Sequence, residues 1–307
     1  MVAYLFAGQG SQYVGMGKDL YDTFPESRNI FEKADKALKF PLTKLIFEGP
    51  QDELTKTQNS QPAILTVTIA ALEAFKSKFR TQNSEVKYSA GLSLGEYSAL
   101  VASGALSFED AVSLVRRRGE LMEEEALKKP GKMLSVIGLE LNAVKEICDK
   151  AATEIANINC PGQVVISGGA REIEKAKELA KGMNAKMALE LQVSGAFHSS
   201  YMKEASVEFA ATLNKVKMDS PAIPVVSNVT ARVANSGAEI KENLIKQVYS
   251  SVLWEDSMRY IISKGVQKCF EFGPGKVLKG LMRRIDASIT VVTIEKKQDI
   301  LSLIQEA

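Results

Sequence analysis

Apolar residues in this chain gather into short runs, separated by longer stretches in which they recur every third or fourth position. The first run covers residues 2–7 and breaks at once into Gly8-Gln9-Gly10-Ser11-Gln12. That pattern predicts a buried strand leading into a tight loop. Helical spacing follows over residues 21–45 and 62–79, then a short strand near 87–90 and a helix over 96–102. Alternation of strand, loop and helix is the pattern of a parallel sheet wrapped by helices.

The stretch 133–193 differs. Strands are predicted over 133–139, 154–159, 163–168 and 186–193, and helices over 142–152 and 170–182, with a turn at Asn159-Cys160-Pro161-Gly162. The order β-α-β-β-α-β is that of a ferredoxin-like unit. The expected organisation is a discontinuous large α/β domain, residues 1–130 and 195–307, interrupted by a small domain at 131–194. A site would then lie in the cleft between them; one continuous α/β sheet is the alternative. Beyond the insert, a helix is expected over 202–216 and strands over 223–227, 266–272 and 288–294. Gly273-Pro274-Gly275 turns the second of these strands into a helix that runs through Arg284.

Ser93 occupies the centre of Gly91-Leu92-Ser93-Leu94-Gly95, between a predicted strand and a predicted helix. A G-x-S-x-G segment in that context is the sequence form of a nucleophile elbow, and a structural tight turn is its plainer reading. Serine needs a base to take its proton, and imidazole is the usual one. The 307 residues contain a single histidine, His198, in a small-residue loop just past the insert. The candidate pair is therefore Ser93 and His198, and the candidate chemistry is acyl transfer. Imidazole's ordinary pKa of about 6.5 puts the expected acid loss of activity there.

An attacked carbonyl also needs N–H donors for its oxyanion. Leu94, just after the nucleophile, is one candidate, and the Gly8-Gln9-Gly10 loop is either the second or an ordinary βα turn. A dinucleotide fingerprint fails, because its third glycine would fall on Tyr13. In the helical stretch 108–126, Arg118 shares the apolar face of Ala111, Leu114, Val115, Leu121 and Met122. An inward arginine must meet an anion: an internal Asp or Glu, or a substrate carboxylate gripped by two parallel hydrogen bonds. Lys276, Lys279, Arg283 and Arg284 form a basic C-terminal segment, either a solvated face or a docking site for an acidic partner or phosphate.

Composition narrows the class. With 39 basic and 37 acidic residues and a net charge of +2, no global field favours nucleic acid or a membrane surface. Three separated cysteines, Cys148, Cys160 and Cys269, give neither a disulfide framework nor a zinc site. Residues 1–7 lack the charged flank of a signal peptide, and no apolar run approaches the roughly 20 residues that span a bilayer. The expectation is a cytoplasmic enzyme.

Gly8-Gln9-Gly10-Ser11-Gln12, residues 91–100, Arg118-Gly119, Pro161-Gly162-Gln163-Val164-Val165 and Gly273-Pro274-Gly275-Lys276-Val277-Leu278 occur in that order. Together they resemble the malonyl-CoA:acyl carrier protein transacylase family and the related acyltransferase domains of polyketide synthases. The resemblance covers nearly the whole chain and implies an α/β-hydrolase-like large domain with a ferredoxin-like βαββαβ insert.

It implies Ser93 as nucleophile and His198 as base, with the histidine oriented by a backbone carbonyl at the position of Leu253. It also implies oxyanion amides from Gln9 and Leu94. Arg118 would hold the malonyl carboxylate, with Phe197 and Met122 joining it in substrate binding. Ala196-Phe197-His198 resembles malonyl-selective polyketide acyltransferases, where Phe197 would crowd out an α-methyl branch. Malonyl-CoA is the implied donor and the phosphopantetheine thiol of acyl carrier protein the acceptor, with no metal or bound cofactor. The basic C-terminal segment would dock the acidic carrier. Two positions depart from the family: Leu92 stands where histidine is usual, and Ala7 where proline is. Leu92 weakens the case for the housekeeping fatty-acid enzyme against a stand-alone acyltransferase serving a polyketide assembly line; the pathway itself stays open. An esterase or thioesterase of the α/β-hydrolase type, or a silent carrier-binding scaffold, are the other readings.

Overall fold

The computed structural model describes residues 1–79 and 86–306. The chain begins with strand β1 (Val2–Phe6) and helices α1 (Lys18–Thr23), α2 (Pro25–Leu38), α3 (Leu42–Glu48), α4 (Gln51–Thr55) and α5 (Thr57–Lys78). Next come β2 (Val86–Gly91), α6 (Gly95–Ala102) and α7 (Phe108–Lys128). The middle of the chain holds β3 (Lys132–Ile137), α8 (Leu141–Ala151), β4 (Glu154–Cys160), β5 (Gln163–Gly168), α9 (Ala170–Gly182) and β6 (Met187–Glu190). It continues with α10 (Lys203–Leu213), β7 (Val225–Val226), β8 (Val233–Ala234), α11 (Gly237–Tyr249), β9 (Val252–Leu253) and α12 (Trp254–Ser263). The last elements are β10 (Lys268–Phe272), α13 (Val277–Ile285), β11 (Thr290–Ile294) and α14 (Lys297–Glu306).

The first sheet runs β11-β10-β1-β2-β7-β8 and is parallel except where β8 pairs with β7. β1 lies inside it with every residue buried, which explains its unbroken apolar run. Tyr4 and Phe6 meet Phe75 and Phe272 on one face, with the Tyr4 and Phe272 rings edge to face at 5.0 Å. Ala3 and Leu5 join Trp254 and Met258 on the other. The sequence pattern over 21–45 is split in the structure, because residues before proline avoid the α region. Phe24 is extended ahead of Pro25, and Pro41 precedes α3. α5 starts earlier than the pattern indicated, with Pro62 inside it.

The second sheet runs β6-β3-β5-β4-β9. Its first four strands pair antiparallel in ferredoxin-like order. β9, from outside the insert, adds in parallel to the β4 edge, Asn157 opposite Val252. Alternation of side chains sorts this sheet's faces. Leu134, Val136, Val164 and Ile166 pack under α8 and α9, while Met133, Ser135, Gln163 and Val165 line a cavity. The fold is a large α/β domain with a ferredoxin-like subdomain. No helix among the described residues is long and apolar enough to cross a membrane.

The crossing of β1 and the start of α6 is tight. A Cβ on Gly95 would stand 2.2 Å from the Phe6 carbonyl oxygen. Gly95→Ala is therefore expected to destabilise the protein by about 1–3 kcal/mol or more, measured as a lower midpoint in urea unfolding. An unchanged midpoint would mean that the backbones separate without cost.

Candidate active site

The turn between β2 and α6 carries Ser93 in a left-handed conformation, φ 50°, unusual for a residue with a side chain. Glycines on either side make the turn possible. A Cβ on Gly91 would lie 2.0 Å from the Gly95 carbonyl. Asn228 latches the turn: its Oδ1 accepts from the Ser93 N–H at 2.7 Å and its Nδ2 donates to the Gly91 carbonyl at 2.8 Å.

His198, also left-handed at φ 57°, places Nε2 2.8 Å from Ser93 Oγ. Its Nδ1 lies 2.8 Å from the main-chain oxygen of Gln247. A carbonyl only accepts, so Nδ1 carries the proton and Nε2 offers its lone pair to the serine hydroxyl. The orienting carbonyl is thus Gln247, not Leu253. Gln247 stands in the last turn of α11, where carbonyls lack helical partners. The Leu253 carbonyl is taken by Ser257 Oγ at 2.7 Å, and its N–H bonds Asn228 O at 2.8 Å.

Arg118 is 1% exposed. Its Nη1 donates to Gln61 Oε1 at 2.9 Å, and its Nη2 to Gln247 Oε1 at 3.1 Å and Ser93 Oγ at 3.2 Å. These acceptors are all neutral, and Nε has no partner. Among the described residues no carboxylate forms an ion pair with it, so the internal Asp or Glu partner of the structural reading is missing. The nearby Glu96 is bonded to Gln247 Nε2 instead, at 2.6 Å.

Burial, and then the Arg118 charge, push the His198 pKa down to about 4, against the opposing pull of the Gln247 carbonyl. Burial pushes Glu96 up to about 7, although Asn228 and Gln247 donate to its carboxylate.

A cavity of about 590 Å³ opens in front of the pair, lined by Gln9, Leu92, Ser93, Phe197 and His198 on one side and by Asn157, Asn159 and Gln163 on the other. Val277 and Leu281 of α13 complete the wall. Among the described residues, the N–H groups of Gln9 and Leu94 have no protein acceptor, so both remain available to a ligand. Neither Arg118 nor Met122, both expected to bind substrate, is part of the cavity lining; Arg118 lies behind it and reaches it at Ser93 Oγ, whereas Met122 lies in the core with its sulfur 3.6 Å from Gln61 Nε2. It backs the residue that holds Arg118.

The basic segment divides. Arg284 is tied to the β4–β5 turn, donating to Gln163 Oε1 at 2.8 Å and Pro161 O at 3.0 Å. It clasps the subdomain while staying exposed, as Lys276, Lys279 and Arg283 are.

Gln61, Asn228, Gln247 and Glu96 were not singled out from sequence. A capping signature, Ser236 with Glu239, marks the start of α11 and could have revealed the helix that carries Gln247. Gln61, a polar residue inside a buried helix, offered a second signal. No group of three or more His, Cys, Asp or Glu among the described residues is arranged to hold a metal ion.

The chain matches the acyl transferase domain family over residues 3–271. It is 46% identical to a Bacillus subtilis protein named malonyl CoA-acyl carrier protein transacylase, over 99% of this chain and 96% of that one. A crystal structure of acyl-carrier-protein-S-malonyltransferase from Bartonella henselae superposes with TM-score 0.95 at 39% identity, covering 99% of this chain and 98% of the other. A malonyl-transacylase in complex with its type II polyketide acyl-carrier protein gives TM-score 0.94 at 35% identity, covering 100% and 99%.

The lowered His198 pKa moves the acid limb away from the 6.5 of a free imidazole. Neutral imidazole accepts a proton and imidazolium does not, so Ser93 reactivity should hold from neutrality to near pH 5 and fall through about 4. The rate of Ser93 labelling by an uncharged fluorophosphonate, followed against pH, measures this. A midpoint at 6.5 would show that neither burial nor Arg118 acts on the ring.

Proposed function

From the premise that the chain belongs to the acyl transferase family, we propose that it moves a malonyl group from coenzyme A to the phosphopantetheine thiol of acyl carrier protein through an acyl-serine, for fatty-acid or polyketide synthesis. The observation that carries this reading is Ser93 Oγ at 2.8 Å from His198 Nε2 and 3.2 Å from the Arg118 guanidinium, a buried cation that forms no ion pair among the described residues.

Malonyl-CoA binds in the cavity with its carboxylate on Arg118, where it supplies the negative charge that the described residues do not. His198 Nε2 takes the Ser93 proton as Oγ attacks the thioester carbonyl. The Gln9 and Leu94 N–H groups receive the oxyanion. The C–S bond breaks, the imidazolium returns its proton to the coenzyme A sulfur, and malonyl-serine remains. The carrier thiol then attacks the ester, with His198 first as base and then returning the proton to Ser93 Oγ. Phe197 walls the acyl position and leaves little room for an α-branch. Lys276, Lys279 and Arg283 offer exposed positive charge to an acidic carrier.

The chain divides functionally into residues 1–130 with 195–307, which carry the catalytic groups, and residues 131–194, which close the cavity from the opposite side. The chemistry uses side chains and peptide groups of the chain and the carrier's own phosphopantetheine. A cytoplasmic location accords with those substrates. An α/β-hydrolase that passes the acyl group to water would normally carry an acid on the histidine; here the Gln247 carbonyl occupies that place.

Two measurements test the assignment. Intact mass after exposure to malonyl-CoA should show a malonyl adduct on the wild type and none on Ser93→Ala; an adduct on the variant removes Ser93 from the reaction. Arg118→Ala should lower kcat/KM for malonyl transfer by about a hundredfold, the loss of a charge-assisted hydrogen-bond pair, and acetyl transfer far less. Equal losses would give Arg118 a structural role only.

A further inference from the structure

Glu96 sits in the first turn of α6, 3% exposed, and no step above uses it. Its Oε2 accepts from Gln247 Nε2 at 2.6 Å and from the Asn228 N–H at 3.1 Å. Each of these residues grips the nucleophile's own peptide. Gln247 Nε2 also donates to the Ser93 carbonyl at 3.0 Å, and Asn228 Oδ1 accepts from the Ser93 N–H at 2.7 Å. The Gln247 main chain then holds His198 Nδ1 at 2.8 Å. A single carboxyl oxygen thus joins the two holds on the elbow to the group that aims the base.

We propose that Glu96 is a positioning residue for acyl transfer, keeping Ser93 Oγ and His198 Nε2 within bonding reach through Gln247 and Asn228. The proposal rests on the assignment of Ser93 and His198 as nucleophile and base. Both residues occupy left-handed backbone conformations, φ 50° and 57°, which persist only where surroundings over-determine them. The orientation of Gln247 is set from both ends. Arg118, which can only donate, claims Oε1, so Nε2 must face an acceptor. Alanine at position 96 leaves Nε2 and the Asn228 N–H short of a buried acceptor, free to turn and to release the Ser93 peptide. Glutamine at position 96 keeps an oxygen that can receive both.

The test is rapid-quench intact mass of Ser93 acylation, reading amplitude and rate constant separately. Glu96→Ala should acylate at least about tenfold more slowly than wild type, the scale of a small misplacement of reacting groups. The loss should be equal for malonyl-CoA and acetyl-CoA, because the elbow serves both. Glu96→Gln should recover most of the rate. A purely structural role would lower the amplitude and leave the rate constant unchanged. A rate constant for Glu96→Ala within about threefold of wild type, or no recovery in Glu96→Gln, overturns the proposal. Should Glu96→Ala not fold, Glu96→Asp, whose shorter carboxylate cannot reach both donors, takes its place under the same criterion. Ser93→Ala in the same series separates the failures. An adduct on that variant overturns the serine assignment, whereas its absence beside a fast Glu96→Ala overturns only the positioning role.

Discussion

The active site is organised around a guanidinium, held inside the protein, that forms no ion pair among the described residues. Burying an arginine is costly unless its hydrogen bonds are met and its charge is opposed. Here the hydrogen bonds are met in part, by Gln61, Gln247 and Ser93, while the charge meets the Tyr97 ring at 5.5 Å and feels Glu96 without forming an ion pair. In the proposed reading that charge receives a substrate carboxylate, and it also acts on its neighbours. It disfavours a second cation on His198, which together with burial keeps the imidazole neutral and able to accept a proton.

The surrounding fold exists to hold that arrangement still. β1 and β2 deliver their C-terminal ends to one place, where Gly8 follows one strand and the Ser93 turn follows the other. α11 contributes a carbonyl from its last turn and an amide side chain from the same residue, so Gln247 touches base, cation and nucleophile at once. The subdomain sheet turns one face to its own helices and the other to the cavity, and Arg284 ties its β4–β5 turn back to α13. α13 is itself anchored by Glu271, which accepts from the Leu278 and Lys279 N–H groups.

Much of this was legible in the sequence because it is carried by local pattern. The glycine spacing around Ser93, the solitary histidine and the inward position of Arg118 each follow from short segments. So does the βαββαβ order of the insert. What sequence pattern missed depends on contacts between distant segments. The carbonyl that orients His198 was assigned to Leu253, a few residues from its true position at Gln247, because any residue supplies a carbonyl and only the end of α11 decides which one points inward. Met122 shares a helical face with Arg118, yet a shared face places it in the core rather than in the cavity. Arg284 belongs to a basic run, but its partners lie in a turn far away in sequence. β9 is two residues long and acquires its identity only by pairing with β4.

The choice of a carbonyl rather than a carboxylate on His198 Nδ1 follows from the same guanidinium charge. A carboxylate there would attract the guanidinium; at an effective dielectric near 20, two unit charges about 7 Å apart attract by about 2 kcal/mol. The carboxylate's own charge beside the ring would favour imidazolium, and its attraction to the guanidinium would weaken the proposed hold on a substrate carboxylate by a comparable amount. A main-chain oxygen fixes the ring tautomer without adding a charge. Glu96, an acid close by, is consistent with this logic. It is kept one amide away from Arg118 by Gln247, and burial raises its pKa to about 7, so that near neutrality it carries only part of a charge. The site orients its base with neutral groups, which in the proposed reading leaves the Arg118 charge to the acyl donor.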